Sequence, residues 1–179
     1  MFHSNTELLQ AYWRSRRRGH APPARADIDL ADFFQLAAQV FLAVRDDAGV
    51  YRFRLAGETV NGLHGRSLAG EDLLAVWRPA HRPLVAATLG SALAAGDVAV
   101  LRAAAGEAET PVRLEVVFAP LRSSGGAVDL FLGLYQPLSP FPGLAGLARR
   151  ELAVERINGE AAAAPRPLRL AVLDGRPVP

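Results

Sequence analysis

Two histidines, His64 and His81, are the side chains whose chemistry would matter most in this chain. They flank a region of predicted short helices, and an imidazole that points into an apolar pocket can serve as an axial ligand of haem. His81 has Arg78 and Arg82 close by, which predicts a solvated histidine. His64 precedes Gly65 at the end of a short helix, so helix capping is its favoured role.

The acidic and hydroxyl groups form weaker patterns. Asp27, Asp29 and Asp32 could offer oxygen ligands to calcium, but the required glycine and distal glutamate are missing, so helix capping is favoured. The run from Gly65 to Gly70 contains a serine without the Gly-x-Ser-x-Gly spacing of a nucleophile elbow. No sequence motif therefore supports an enzyme.

The composition removes further kinds of chemistry. All 20 basic residues are arginine, which excludes lysine-dependent phosphate loops and Schiff bases. The chain has no cysteine, which excludes disulfides, thiol nucleophiles, iron–sulfur clusters and a cysteinyl–flavin adduct. Its 179 residues, half of them apolar, suit one globular domain, and a non-covalent binding module is the simplest remaining class.

The densest basic run is Arg14, Arg16, Arg17 and Arg18. It could bind nucleic acid, but the net charge is only +2, so a solvated helix end is favoured and nucleic acid is not the expected partner. The first residues do not resemble a secretory signal, and no uncharged apolar stretch reaches the ~20 residues that cross a bilayer. A cytoplasmic protein without membrane attachment is expected.

An amphipathic helix is predicted within residues 1–20. Ser4 and Glu7 have the spacing of a capping box. The apolar stripe must pack on the main domain or pair with a second copy. It consists of Leu8, Leu9, Tyr12 and Trp13.

An α+β fold follows from the remaining pattern. A five-stranded antiparallel sheet is predicted, with helices on one face between the second and third strands. The predicted strands cover 40–45, 50–56, 98–105, 112–119 and 128–135, and the predicted helices 30–37, 58–64, 71–76 and 79–95. Residues 137–179 hold seven of the 13 prolines and are predicted to be a tail, with a possible helix over 144–156 and a β-prone run over 168–173.

This order of elements is that of PAS domains, and four short motifs strengthen the likeness. They resemble an alphaproteobacterial PAS-type family first catalogued as a domain of unknown function; Leu30 departs from its usual proline. The resemblance covers Leu8 to Gln136 and implies three parts: a helix over 1–20, a PAS-like domain over 21–136 and a tail over 137–179. The motifs are Tyr12-Trp13, Ala24–Asp29, Tyr51–Gly57 and Gly65–Gly70.

The resemblance implies a sensory or protein-interaction module and no particular cofactor. A small ligand would lie between the inner sheet face and the short helices. There Trp77 could form a pocket wall, although core packing is its favoured role. The candidate ligand-binding residues are Phe53, Leu55, Asn61, His64, Trp77, Phe118 and Leu132.

The outer sheet face is predicted to carry Phe131 and Tyr135. Together with the apolar stripe of the N-terminal helix, they are hypothesised to form a homodimer interface, from which a separate signalling protein would receive the signal. Two alternatives stay open. One is a small enzyme on a cone-shaped α+β fold that uses His64 with Asp72, and the other is an arginine-rich nucleic-acid-binding protein.

Overall fold

The computed structural model describes residues 1–106, 111–139 and 150–161, with two short strands at 172–173 and 176–177. The α-helices are α1 (Ser4–Ser15), α2 (Glu58–Leu63) and α3 (Arg82–Ala95), and 3₁₀ helices cover Arg25–Asp27, Leu30–Leu36, Leu73–Val76 and Pro79–His81. The strands are β1 (Val40–Arg45), β2 (Tyr51–Ala56), β3 (Ala99–Ala105), β4 (Val112–Arg122), β5 (Val128–Pro137), β6 (Leu152–Ile157), β7 (Glu160–Ala161), β8 (Val172–Leu173) and β9 (Arg176–Pro177).

The main sheet is antiparallel, in the order β2-β1-β5-β4-β3-β6-β7, so the predicted count of five strands is too low. The additional strands come from the predicted tail. Leu152–Ile157 is a strand where a helix over 144–156 was predicted, because Leu152 and Val154 alternate towards the core along the open edge of β3. The rest of that prediction, 144–149, lies outside the described residues. So does 168–171, whereas Val172–Leu173 pairs with β9 in a separate hairpin.

The helix α1 covers the outer face of the sheet. His3 caps it, with Nδ1 accepting a hydrogen bond from the Asn5 amide, so the helix does not use the predicted Ser4–Glu7 capping box. Leu9 and Trp13 are buried against β4 and β5. The Trp13 Nε1–H donates to the Pro120 carbonyl at 2.7 Å, which satisfies the one polar atom of the indole.

The helix α3 crosses the inner face. It buries Val85, Leu89 and Ala92, and it ends at Gly96, whose φ of 64° is the left-handed conformation that favours glycine. In the described ranges, no helix combines the length and apolarity that a membrane span requires.

The two faces of β5 are the reverse of those predicted. Val117 pairs with Leu134 and Phe118 with Gly133, which places Leu132 on the outer face under α1. Phe131 and Tyr135 therefore lie on the inner face. Both faces of β5 are apolar, so the sequence pattern could not choose between registers that differ by one residue.

Leu55 also lies on a different face from the one predicted. In the β1–β2 ladder, Leu42 pairs with Leu55 but Ala43 pairs with Phe53, which leaves Arg54 as an extra residue. This β-bulge turns the strand, and Leu55 is 42% exposed while Phe53 stays buried. Leu55 is therefore not part of the inner face.

Candidate functional site

The inner face of the sheet carries a closely packed aromatic cluster. Three predicted ligand-binding residues, Phe53, Trp77 and Phe118, lie in it and are each at most 1% exposed. The ring of Phe41 is at its centre, with edge-to-face centroid distances of 5.5 Å to Phe53 and 5.6 Å to both Phe118 and Tyr135. Such contacts stabilise a core in one arrangement.

Phe41 and Gly133 fit each other across neighbouring strands. A Cβ atom at Gly133 would lie only 1.9 Å from Cζ of Phe41. The phenyl ring therefore occupies the space that the side chain of any other residue type at position 133 would need. The glycine in the middle of a strand was a readable signal of this close approach, yet sequence reasoning missed both residues.

His64 is buried at the carboxyl end of α2 and uses both ring nitrogens. Its Nδ1 lies 2.7 Å from the Arg150 carbonyl oxygen, and its Nε2 lies 3.2 Å from the Tyr135 hydroxyl. Because a carbonyl only accepts, Nδ1 carries the proton and Nε2 accepts from Tyr135. Burial lowers the pKa of His64 to about 4 and raises the pKa of Tyr135. The neutral imidazole thus joins α2, β5 and the start of β6.

His64 does not have the surroundings of a haem ligand or of a catalytic base. His64 has no free nitrogen, and the Asp72 carboxylate accepts from the Leu74 amide at 2.8 Å instead of orienting His64. His81 is half-buried, not solvated, and its Nδ1 accepts from the Val154 amide at 3.3 Å. Within the described residues, no group of three metal-ligating side chains is present.

Asn61 and the segment at Trp77 make contacts that stabilise the loops next to the inner face. Asn61 donates from Nδ2 to the Ala56 carbonyl and accepts the Leu68 amide at Oδ1, both at 2.9 Å, so it braces the loop after β2. Trp77 is fully buried, and the amide of the next residue, Arg78, donates to the Leu152 carbonyl of β6. These contacts anchor the added strand to the loop region.

The predicted interface residues are divided among four settings. Leu9 and Trp13 are buried on their own sheet, and Phe131 and Tyr135 lie on the inner face, where they are at most 2% exposed. Tyr12 is half-buried and contacts Phe33 edge to face at 4.5 Å. Leu8 is 56% exposed, so among the predicted interface residues it is the large apolar side chain that faces solvent.

The arginine run after α1 is matched by carboxylates. Arg16 pairs with Asp32 at 3.3 Å, Arg17 with Asp97 at 2.9 Å and Arg18 with Asp27 at 3.3 Å. These exposed pairs add little stability each, but they cancel most of the local charge. A phosphate backbone would therefore meet a largely neutralised surface.

Comparison with known proteins gives a family match. The family model described as "PAS domain" matches residues 1–136. No curated protein matches the chain.

Several solved structures are similar to the chain. One, described in work on a flavin analogue and the light-oxygen-voltage domain mechanism, is 19% identical, with 63% of this chain and 87% of that chain covered and a TM-score of 0.49. The light-state LOV domain of the blue-light photoreceptor aureochrome1 is 17% identical, with coverages of 62% and 90% and a TM-score of 0.45. An RNA-binding light-oxygen-voltage receptor is 17% identical, with coverages of 65% and 36% and a TM-score of 0.44.

Proposed function

Because this chain belongs to the PAS domain family, we propose that it is a sensory or regulatory module that acts by protein–protein contact, with α1 forming the contact between two copies. The observation that carries the proposal is the division of α1 into two faces. Its inner stripe, with Leu9 and Trp13, is buried in its own chain, whereas Leu8 is exposed. The helix is thus attached to one domain and still presents a surface to another.

The outward face of α1 suits a helix–helix contact. Leu8, Ala11 and Ser15 are exposed at spacings of three and four residues, so they lie along one side of the helix. Small residues beside a single leucine allow two helices to approach closely. A twofold axis would place the same stripe on both partners, as an isologous contact requires.

The charges on α1 favour an antiparallel arrangement of the two helices. Glu7 and Arg14 are both exposed and lie on either side of Ala11. If two copies cross near Ala11, Glu7 of each lies close to Arg14 of the other, and the two attractive pairs fix the orientation. A separate signalling protein is then the recipient of a change in this association.

A large cofactor does not fit the inner face of the sheet. The fold family implies a ligand there, but Phe41 fills the space over Gly133, and Phe53, Phe118 and Tyr135 contact its ring edge to face. The chain also has no cysteine with which to form a cysteinyl–flavin adduct. The signal that this module receives therefore binds outside the inner face of the sheet or changes the packing of the aromatic cluster.

Leu8→Glu is expected to convert the dimer into a monomer. With the helices crossing near Ala11, each Leu8 packs against the opposing helix, so a glutamate there loses the apolar contact and places a carboxylate in the buried contact, which is costly. We expect the unaltered full-length chain to sediment as a dimer in the micromolar range and the variant to sediment as a monomer with an unchanged far-UV circular dichroism spectrum.

Phe34→Glu provides the matched control. Phe34 is 73% exposed and lies on the 3₁₀ helix Leu30–Leu36, outside α1. This variant is expected to remain dimeric. A monomeric unaltered chain, or a Leu8→Glu variant as dimeric as the control, would contradict the proposed contact.

A further inference from the structure

An open cleft lies between α3 and the β1–β2 hairpin, at the edge of the aromatic cluster. Its volume is about 500 Å³, within the usual range for small-molecule sites, and none of the seven predicted ligand-binding residues lines it. The residues that matter for its chemistry are Arg45, Tyr51, Ala86, Gly90, Ala94 and Val128.

Tyr51 offers an unused hydroxyl to this cleft. The residue is only 5% exposed, and its ring packs against Phe131 at a centroid distance of 6.1 Å. The hydroxyl has no hydrogen-bond partner within the described ranges, although it is not sealed from solvent. Burial raises the pKa of Tyr51 and the charge of Arg45 opposes that rise, so the phenol stays protonated and can donate.

Arg45 supplies a cation beside that hydroxyl. It forms no ion pair with the carboxylates of the described residues, in contrast to Arg52 on the neighbouring strand, which pairs with Asp46 at 3.0 Å. Asp46 also accepts the Val50 amide at 2.8 Å, so its carboxylate is already engaged. The guanidinium of Arg45 lies over the hairpin, with Nη2 about 3.5 Å from where a Cβ at Gly49 would be, and its donors have no hydrogen-bond partner among the described residues.

The floor of the cleft is flat because α3 carries small residues there. Ala86, Gly90 and Ala94 are spaced four residues apart and form one line along the helix. Gly90 has no atom within 4 Å of a possible Cβ, so packing does not require the glycine. A glycine inside a helix is destabilising relative to alanine, and what it provides here is an open, flat surface for a ring.

We propose that this cleft binds a small aromatic carboxylate, with the carboxylate held by Arg45 and the Tyr51 hydroxyl and the ring lying on Gly90 between Ala86 and Ala94. Guanidinium recognises a carboxylate through two parallel hydrogen bonds, and the phenol adds a third donor. Val128 closes the apolar side. The site is independent of the proposed α1 contact, since it lies on the other face of the sheet.

The test is a titration of the full-length ¹⁵N-labelled chain with benzoate, followed by amide chemical shifts. We expect saturable changes in the millimolar range at Gly49, Gly90 and Val128. Benzamide, which keeps the ring and removes the charge, is expected to bind about tenfold more weakly. Absence of saturable shifts with benzoate, or equal binding of benzamide, would overturn the proposal.

Three variants and one control assign the binding to these residues. Arg45→Gln is expected to weaken benzoate binding about tenfold, and Tyr51→Phe severalfold, because each removes a donor. Gly90→Leu places a side chain in open space on the helix and is expected to abolish binding while the chain stays folded. Arg54→Gln, at an exposed arginine on β2, is the matched control and is expected to bind as the unaltered chain does. An unchanged affinity for benzoate in Arg45→Gln or Gly90→Leu would contradict the assignment of the binding site to these residues.

Discussion

Replacing Gly133 by alanine is expected to lower the free energy of unfolding by about 3 kcal/mol, or to prevent folding altogether. The new methyl group would lie 1.9 Å from the ring of Phe41, and that ring cannot move freely because it packs edge to face on Phe53, Phe118 and Tyr135. Urea denaturation followed by tryptophan fluorescence measures the loss.

Two further variants make this prediction specific. Gly90→Ala introduces the same methyl group where no atom lies within 4 Å, and it is expected to leave stability unchanged or to raise it. In the Gly133→Ala background, Phe41→Leu should recover part of the loss, because it removes the ring that the methyl group meets; this is a coupling between neighbours. A Gly133→Ala chain as stable as the Gly90→Ala chain would contradict the packing of Phe41 over β5.

Lowering the pH from 7 to 4 is expected to reduce the free energy of unfolding by about 3 kcal/mol through His64 alone. Burial lowers the pKa of His64 in the folded chain to about 4, against an ordinary value of 6.5. The unfolded chain therefore binds a proton first as the pH falls. Stability due to the neutral ring is complete above pH 6.5 and is lost progressively down to about pH 4.

His64→Phe keeps a ring in the cavity and removes this titration. Its stability at pH 7 is lower, because Tyr135 and the Arg150 carbonyl lose a partner, but its pH dependence should be flatter. Some slope remains, since burial and Arg78 lower the pKa of His81 as well. His20→Gln, at an exposed histidine, should keep the full dependence. Equal slopes in the two variants would contradict a buried neutral His64.

The sequence predicted the elements well where their patterns were distinct. The strand Val40–Arg45 has the predicted bounds, and Asp29 caps the following 3₁₀ helix by accepting the Ala31 amide. The helix α3 ends at Ala95, where the predicted helix over 79–95 also ends, and Gly96 after it adopts the left-handed conformation that glycine favours. Short-range signals of this kind depend on the residue itself and its near neighbours.

Long-range pairing could not be predicted in the same way. Leu132 and Phe131 lie on the opposite faces from those predicted, because β5 is apolar on both sides. Leu55 faces outward because of a β-bulge for which the local sequence carries no signal. Strand β6 was missed because its partner edge on β3 is visible only in three dimensions. The contacts of His64 with Tyr135 and the Arg150 carbonyl join residues that are 71 and 86 positions apart, beyond any local pattern.

The central claim is that this regulatory module has a filled core and associates with itself through α1. Native mass spectrometry of the full-length chain, purified from its own host, tests it most directly. We predict the mass of two chains, with no flavin or haem retained in the core. A single-chain mass would contradict the proposed association. An additional mass equal to that of a tightly bound core cofactor would contradict the packing of Phe41 over Gly133.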